Sequence, residues 1–404
     1  MHRRQAPQRG DRRGAGAAAA AATGGRPRPP PGPGARVTAA ERVRLVAFGG
    51  GHGLGASLRA LRRCQAELPG LAVTAVVTVG DDGGSSGRLR AQRGALPPGD
   101  LREALAALAG DDPHSRTTAD LLLHRFPPVP GSDRDPLVGH PVGNLVLCGL
   151  MELLGDPVAA LDHAAGMVRA AGRVLPMSRE PVAIEATVRG ADPTRPDQPV
   201  TVRGQHEVAI SPGRVETVRL DPARPVACRE ALAAVAGADW LIFGPGSWYT
   251  SVIPHLLVPD LAAAVVASPA RRLVILNLST EPETAGLTLP AHLTALARYA
   301  PGLKVDRVLA DPGWLADPEP VRRAAGSLGA ELCLAPMAAS GRSASGARGQ
   351  AAEPLDMAVS GRSASGARGQ AAEPFDMAVG GDGAARHDPA ALATALLPVL
   401  ATTR

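Results

Sequence analysis

Along residues 43–79 the chain alternates apolar runs with glycine-rich breaks. The β-branched run ending in V-A-F predicts a strand over Arg44–Phe48. It stops at Gly49-Gly50-Gly51-His52-Gly53-Leu54-Gly55, and the pattern from Ala56 to Gln65 is helical. A second apolar run, Leu71–Val79, ends in Asp81-Asp82 and then G-G-S-S-G-R. Strand, loop, helix and strand in this order predict a βαβ start and a parallel sheet. Further on, Pro97-Pro98-Gly99-Asp100 leads into a predicted helix over Leu101–Ala109, with Asp100 as its N-cap. Leu145–Leu154 is apolar all round and predicts a buried helix; Asp156-Pro157 opens another over Val158–Ala171.

Between about residues 173 and 220 the pattern changes to short alternating segments, V-A-I-E-A-T-V, E-V-A-I and V-E-T-V-R-L, which predict a β-rich insertion. The α/β alternation then returns. Helices are expected over Arg229–Ala236, Asp260–Ala267, Ala291–Tyr299 and Pro389–Leu400. Strands are expected over Asp239–Phe243, Arg272–Leu276, Val305–Ala310 and Glu331–Ala335. The fold class is therefore α/β, Rossmann-like and three-layered, with a mostly parallel sheet.

Charge changes this picture only at one end. The chain carries a net charge of +5, but residues 1–44 hold ten arginines against Asp11 and Glu41, which leaves the remainder at −3. The basic excess belongs to a tail, residues 1–42, whose Arg, Gly, Ala and Pro cannot offset the entropy of ordering. We expect that tail to be disordered and the folded part to bind no specific nucleic acid. Arg12-Arg13 precedes too short and too weakly apolar a run for a twin-arginine export signal, and no run reaches the length of a membrane span. Cys64, Cys148, Cys228 and Cys333 lack C-x-x-C spacing, as expected of reduced thiols in a cytoplasmic protein. Residues 340–359 recur at 360–379 with Leu355 replaced by Phe375; two copies do not make a solenoid, and a duplicated disordered loop is expected. The folded region is thus residues 43–404.

Three loops at strand ends carry the candidate chemistry. Glycines let a backbone approach a ligand closely, and successive N–H groups can cradle an anion. On this basis Gly50, Gly51, His52 and Gly53 form the first loop. Asp81, Asp82, Gly83, Gly84, Ser85, Ser86, Gly87 and Arg88 form the second. Gly244, Pro245, Gly246, Ser247, Tyr249, Thr250 and Ser251 form the third. Asp100, His140 and Asn144 join them, the last two being four apart and on one face if helical. Either Trp248 or Tyr249 is a candidate for stacking on a base. G-H-G-L-G-A followed by Asp81 also approaches a nicotinamide-dinucleotide fingerprint, which leaves an NAD(P)-dependent oxidoreductase as one alternative.

The motifs G-G-G-H-G-L-G, D-D-G-G-S-S-G-R-L-R, L-P-P-G-D-L-R, G-H-P-V-G-N-L, G-R-V-L-P-M-S and G-P-G-S-W-Y-T-S-V-I-P-H-L-L-V-P resemble the gluconeogenesis factor family. This is the YvcK branch of the CofD-like superfamily. The resemblance implies a cytoplasmic, UDP-N-acetylglucosamine-binding regulator of cell shape and wall synthesis during gluconeogenic growth, with no catalytic residue and no established cofactor. A homo-oligomer and protein partners in wall regulation would be compatible with it. The related CofD branch implies a different alternative, a 2-phospho-L-lactate transferase in which acidic residues near Asp81 and Asp82 help hold metal, so that Mg2+ enters only there. The loop N-L-S-T-E-P-E-T-A-G departs from the Pro-Gly-Glu-Thr usual in the family, around Glu283 and Thr284.

Overall fold

The computed structural model describes residues 42–128, 135–278, 287–339 and 386–401. The basic tail, the 340–379 duplication and the Glu283–Thr284 loop lie outside them.

Seven strands form one parallel sheet: β1 (Val43–Gly49), β2 (Leu71–Val77), β3 (Gly172–Pro176), β7 (Trp240–Phe243), β8 (Arg271–Ile275), β9 (Arg307–Ala310) and β10 (Glu331–Leu334). Their order is β10-β9-β8-β7-β1-β2-β3. The chain winds outward from β1 in one direction through β2 and β3, and in the other through β7 to β10. Right-handed crossovers then place the connecting helices of the two halves on opposite faces. Helices α1 (Gly51–Glu67) and α3 (Gly99–Ala107) pack together, and the last helix, α13 (Pro389–Ala401), lies against α1. In the other half α8 (Arg229–Ala236) packs on α10 (Pro259–Ala267), and α11 (Leu289–Tyr299) on α12 (Glu319–Ser327). The central strands are buried on both sides, and Phe48 of β1 stacks on Phe243 of β7 with ring centroids 4.9 Å apart. The reversal of strand order falls between these two strands, which in open α/β sheets is where ligands bind.

A second, antiparallel sheet orders β5 (Pro199–Arg203), β4 (Ala183–Arg189) and β6 (Arg214–Asp221). It joins the main sheet where the chain leaves β3. Met177 donates its N–H to Val77 O and Val182 to Val79 O, so the small sheet begins beside the carboxyl end of β2.

Several sequence expectations need correction. Helix α1 starts at Gly51, so the glycine run supplies its first turn rather than a preceding loop. Asp100 lies inside α3, one residue after Gly99, and does not cap that helix; Pro98 is the N-cap residue. The segment E-V-A-I is part of a short helix, α7 (Gln205–Ile210), because Val208 alone needs burial there. Residues 172–176 belong to the main sheet, not the insertion. Helix α5 (Val142–Leu154) is not buried all round, since Leu153 is 79% exposed. Two helices, α2 (Gly84–Arg93) and α4 (Pro113–Leu123), carry too little apolar periodicity to be read in advance.

Candidate functional site

The three glycine-containing loops meet at the carboxyl ends of β2, β1 and β7. A Cβ on Gly50 would sit 2.5 Å from both Asp100 Oδ2 and Thr78 Cγ2, so only glycine lets the end of β1 lie against the Asp100 carboxyl. The Gly51 N–H is held by the same carboxyl. One turn on, a Cβ on Gly53 would lie 2.4 Å from Pro245 O and 2.5 Å from Gly246 Cα. The first turn of α1 and the Gly244–Gly246 turn therefore touch backbone to backbone at the strand-order reversal. Asn277, just beyond β8, fixes the second partner: its Oδ1 accepts the Gly246 N–H at 2.8 Å and its Nδ2 donates to Gly246 O at 3.0 Å. His52 is exposed at the start of α1.

Beneath the first loop lie two carboxyls. Asp81 Oδ1 accepts the Gly83 N–H at 3.0 Å, and Asp81 also takes a hydrogen bond from the Ser86 hydroxyl, which in turn accepts the Gly99 N–H at 3.0 Å. Asp100 is buried, and its Oδ2 has no hydrogen-bond partner among the described residues. Burial first, then the charges of Asp81 and Glu103, push the Asp100 carboxyl up to about 8. Burial also raises Asp81. Two like charges in one dry site cannot both ionise cheaply, so the pair holds a proton at neutral pH. Mg2+ is commonly held by one or two carboxylates with phosphates and waters completing the shell. Asp81 and Asp100 offer that donor set, and no group of three or more His, Cys, Asp or Glu side chains forms a protein-only cage among the described residues.

Beside the carboxyls runs a buried polar chain. Glu103 accepts from Arg102 at 2.8 Å, Arg102 Nε donates to Asn144 Oδ1 at 3.0 Å, and Asn144 Nδ2 donates to Ser85 Oγ at 2.9 Å. Ser85 Oγ is also 2.8 Å from His140 Nδ1. His140 and Asn144 thus converge on one hydroxyl, although His140 precedes α5 rather than lying in it. Burial, followed by the charges of Arg88 and Arg125, lowers the His140 pKa and keeps its ring neutral. Arg88 Nη2 donates to Val138 O at 3.0 Å, while its Nε is buried with no partner among the described residues.

Past Gly246 the chain makes a wide turn over Trp248–Val252, with Ser247 O accepting the N–H groups of Ser251 and Val252 at 2.8 and 3.2 Å. Thr250 and Ser251 are buried in it. Trp248 is fully buried and donates its indole N–H to His292 O at 3.0 Å, and Tyr249 is buried in the same cluster, so both aromatics belong to the core. Sequence reasoning missed Asn277 and Arg102. The first had a readable signal, a lone amide directly after the apolar run of β8, in the place Asp81 occupies near the end of β2.

The family described as "2-phospho-L-lactate transferase CofD" matches residues 45–325. The Bacillus subtilis gluconeogenesis factor is 35% identical over 270 residues, which span 67% of this chain and 78% of that protein. The chain belongs to the gluconeogenesis factors of the CofD-like family. A Mycobacterium tuberculosis relative, provisionally designated a gluconeogenesis factor, is 50% identical over 74% of this chain and 85% of its own length. A crystal structure of a UPF0052-family protein from Bacillus halodurans superposes with a TM-score of 0.63 at 30% identity, covering 74% of this chain and 94% of that one. In this gluconeogenesis-factor homologue the family match begins in β1 and ends in α12, and so takes in all three site loops. No helix among the described residues is long and apolar enough to cross a membrane.

Proposed function

We propose that this protein binds a UDP-sugar, UDP-N-acetylglucosamine in particular, and acts through that binding as a cytoplasmic regulator of cell shape and wall synthesis during gluconeogenic growth. The observation that carries the reading is the backbone contact of Gly53 with Pro245 and Gly246 beside the Gly50–Asp100 contact. It leaves two glycine turns and a helix start at the strand-order reversal, the arrangement suited to a diphosphate with groups extending to both sides. His52 and Gly53 at the start of α1 and Gly84 to Ser86 at the start of α2 supply N–H groups, those of Gly51, Gly83 and Gly87 being held by Asp100, Asp81 and Gly83 O, and Arg88 offsets phosphate charge. Asp82 takes a hydroxyl of sugar or ribose and Gly244 to Ser251 wrap the nucleotide, while Asp81 and Asn144, engaged by Gly83 and Ser86 and by Arg102 and Ser85, position the loops.

The oxidoreductase alternative is weaker on this geometry. In a nicotinamide site the acid after the second strand must receive a ribose hydroxyl. Here Asp81 is turned onto Gly83 and Ser86, and burial raises its pKa. The transferase alternative rests on the CofD description and on the Asp81–Asp100 donor set, where Mg2+ would supply charge to a leaving phosphate.

Thermal melting against nucleotides and nucleotide sugars tests the reading. UDP-N-acetylglucosamine at 100 times its dissociation constant should stabilise by about 2.7 kcal/mol and survive incubation unchanged, with or without magnesium. Stabilisation by NAD or NADP alone would overturn the assignment. Product from a deazaflavin acceptor and a guanylylated phospholactate donor would replace the regulator with the transferase.

A further inference from the structure

The antiparallel insert contributes a wall to this site that no glycine motif announces. Its short helix α7 begins at Gln205 and is fastened to the loop after β2. Asp82 Oδ1 accepts the His206 N–H at 3.1 Å, and Gly204 lies so close that a Cβ on it would meet Asp82 Oδ2 at 2.3 Å. On its far side α7 packs against Trp248–Val252, the segment after β7. Strand β1 lies between β2 and β7, so α7 bridges the two loops that flank the Gly49–Gly51 turn.

One polar atom on this bridge is unexplained by the fold. Gln205 Oε1 is buried, has no hydrogen-bond partner among the described residues, and sits 3.2 Å from where a Cβ on Gly80 would be. A buried carboxamide oxygen without a donor is costly, and such atoms persist where a donor arrives from elsewhere. The diphosphate of a sugar nucleotide has no hydrogen to donate at neutral pH, so the arriving donor is an O–H or N–H elsewhere on the ligand. A carboxamide accepting O–H or N–H beside two acids is the recognition chemistry of a sugar.

We infer that Gln205 is a specificity-determining residue that reads a hydroxyl or amide of the ligand's sugar, held in place by the Asp82–His206 bond. This rests on the UDP-sugar reading and deepens it.

Calorimetric titration of Gln205→Leu and the more pliable Gln205→Met with UDP-N-acetylglucosamine and with UDP decides the matter. Both variants should lose about tenfold or more in affinity for the sugar nucleotide, with UDP changed less than about twofold. Their unliganded melting temperatures should hold or rise, since an apolar isostere removes an unsatisfied group. Undiminished sugar-nucleotide affinity in whichever variant folds overturns the inference and leaves the binding reading standing. A wild-type protein that binds no UDP-sugar in the same titration overturns both.

Discussion

The Asp82 carboxylate holds the His206 backbone N–H at 3.1 Å across 124 positions of sequence, and so ties the loop after β2 to the antiparallel insert. Asp82 is then a fastener as well as a candidate hydroxyl acceptor, and the two roles separate by substitution. Asp82→Ala removes the acceptor and should cost about 1–2 kcal/mol in urea unfolding. Asp82→Asn keeps an oxygen for His206 and should stay within about 0.5 kcal/mol of wild type, while losing the charge that favours a sugar hydroxyl. Equal stability of all three proteins would show that the bond does not hold the insert.

The contact between Gly53 and the Gly244–Gly246 turn makes a sharper prediction. A methyl group at Gly53 meets Pro245 O at 2.4 Å and Gly246 Cα at 2.5 Å, backbone atoms that cannot swing aside. Gly53→Ala should therefore destabilise by about 1–3 kcal/mol and shrink the ligand-induced melting shift. Gly149→Ala is the control: that glycine sits within α5 with nothing within 4 Å of the added atom. It should stabilise by about 0.5–1 kcal/mol and leave binding alone. A Gly53→Ala protein as stable and as responsive as wild type would contradict the close packing of the two loops.

Much of this was legible in the sequence because apolar runs ending in glycine or aspartate mark the strand ends directly. Strand β7 ends at Phe243 as the pattern does, β1 runs one residue past Phe48, and β2 ends at Val77, two residues before its apolar run does. What escaped was whatever depends on distant partners. Asp100 reads locally as a helix cap, yet the Gly50 turn, fifty residues earlier, draws its carboxyl under the first loop. E-V-A-I alternates like a strand, but with only Val208 buried and Asp82 holding His206 it coils into α7. Arg102, Ser85 and the His140–Asn144 pair come from three separate motifs, and nothing local shows that they form one chain.

The buried titratable groups set a pH optimum for stability. Burial lowers His255, His292 and His387 to about 4, and lowers His140 as well. Between those values and the ordinary histidine range the unfolded chain binds more protons, so stability rises with pH up to about 6.5. Asp100 acts the other way. Raised to about 8, it keeps its proton in the fold while the unfolded chain has lost it from about pH 4 upward, and stability falls through that window. With several histidines against one or two carboxyls, the histidines prevail below about 6.5 and Asp100 decides the slope above it. Denaturation midpoints should peak near pH 6–7. Asp100→Asn should flatten the alkaline limb and raise stability at pH 8 by a few kcal/mol on an order-of-magnitude scale, with little effect at pH 4. An alkaline limb unchanged by Asp100→Asn would place the proton elsewhere.

Arg88 joins the proposed anion site to the His140 chain, and its removal should be felt in both. As a phosphate contact its loss costs about 1.5–3 kcal/mol, or about 10- to 150-fold in UDP-sugar affinity. Lysine restores the charge but not the fork, so Arg88→Lys should recover only part of the loss. The same cation lowers the His140 pKa, second to burial. In Arg88→Ala the imidazole should therefore titrate higher than in wild type, yet still below the ordinary value, because burial persists. Nuclear magnetic resonance titration of the ring protons reads this in the unliganded protein, independently of binding. If Arg88 serves only to hold Val138 O, Arg88→Ala will melt lower while its ligand-induced shift stays whole, and the charged contact to phosphate must then be sought on another residue.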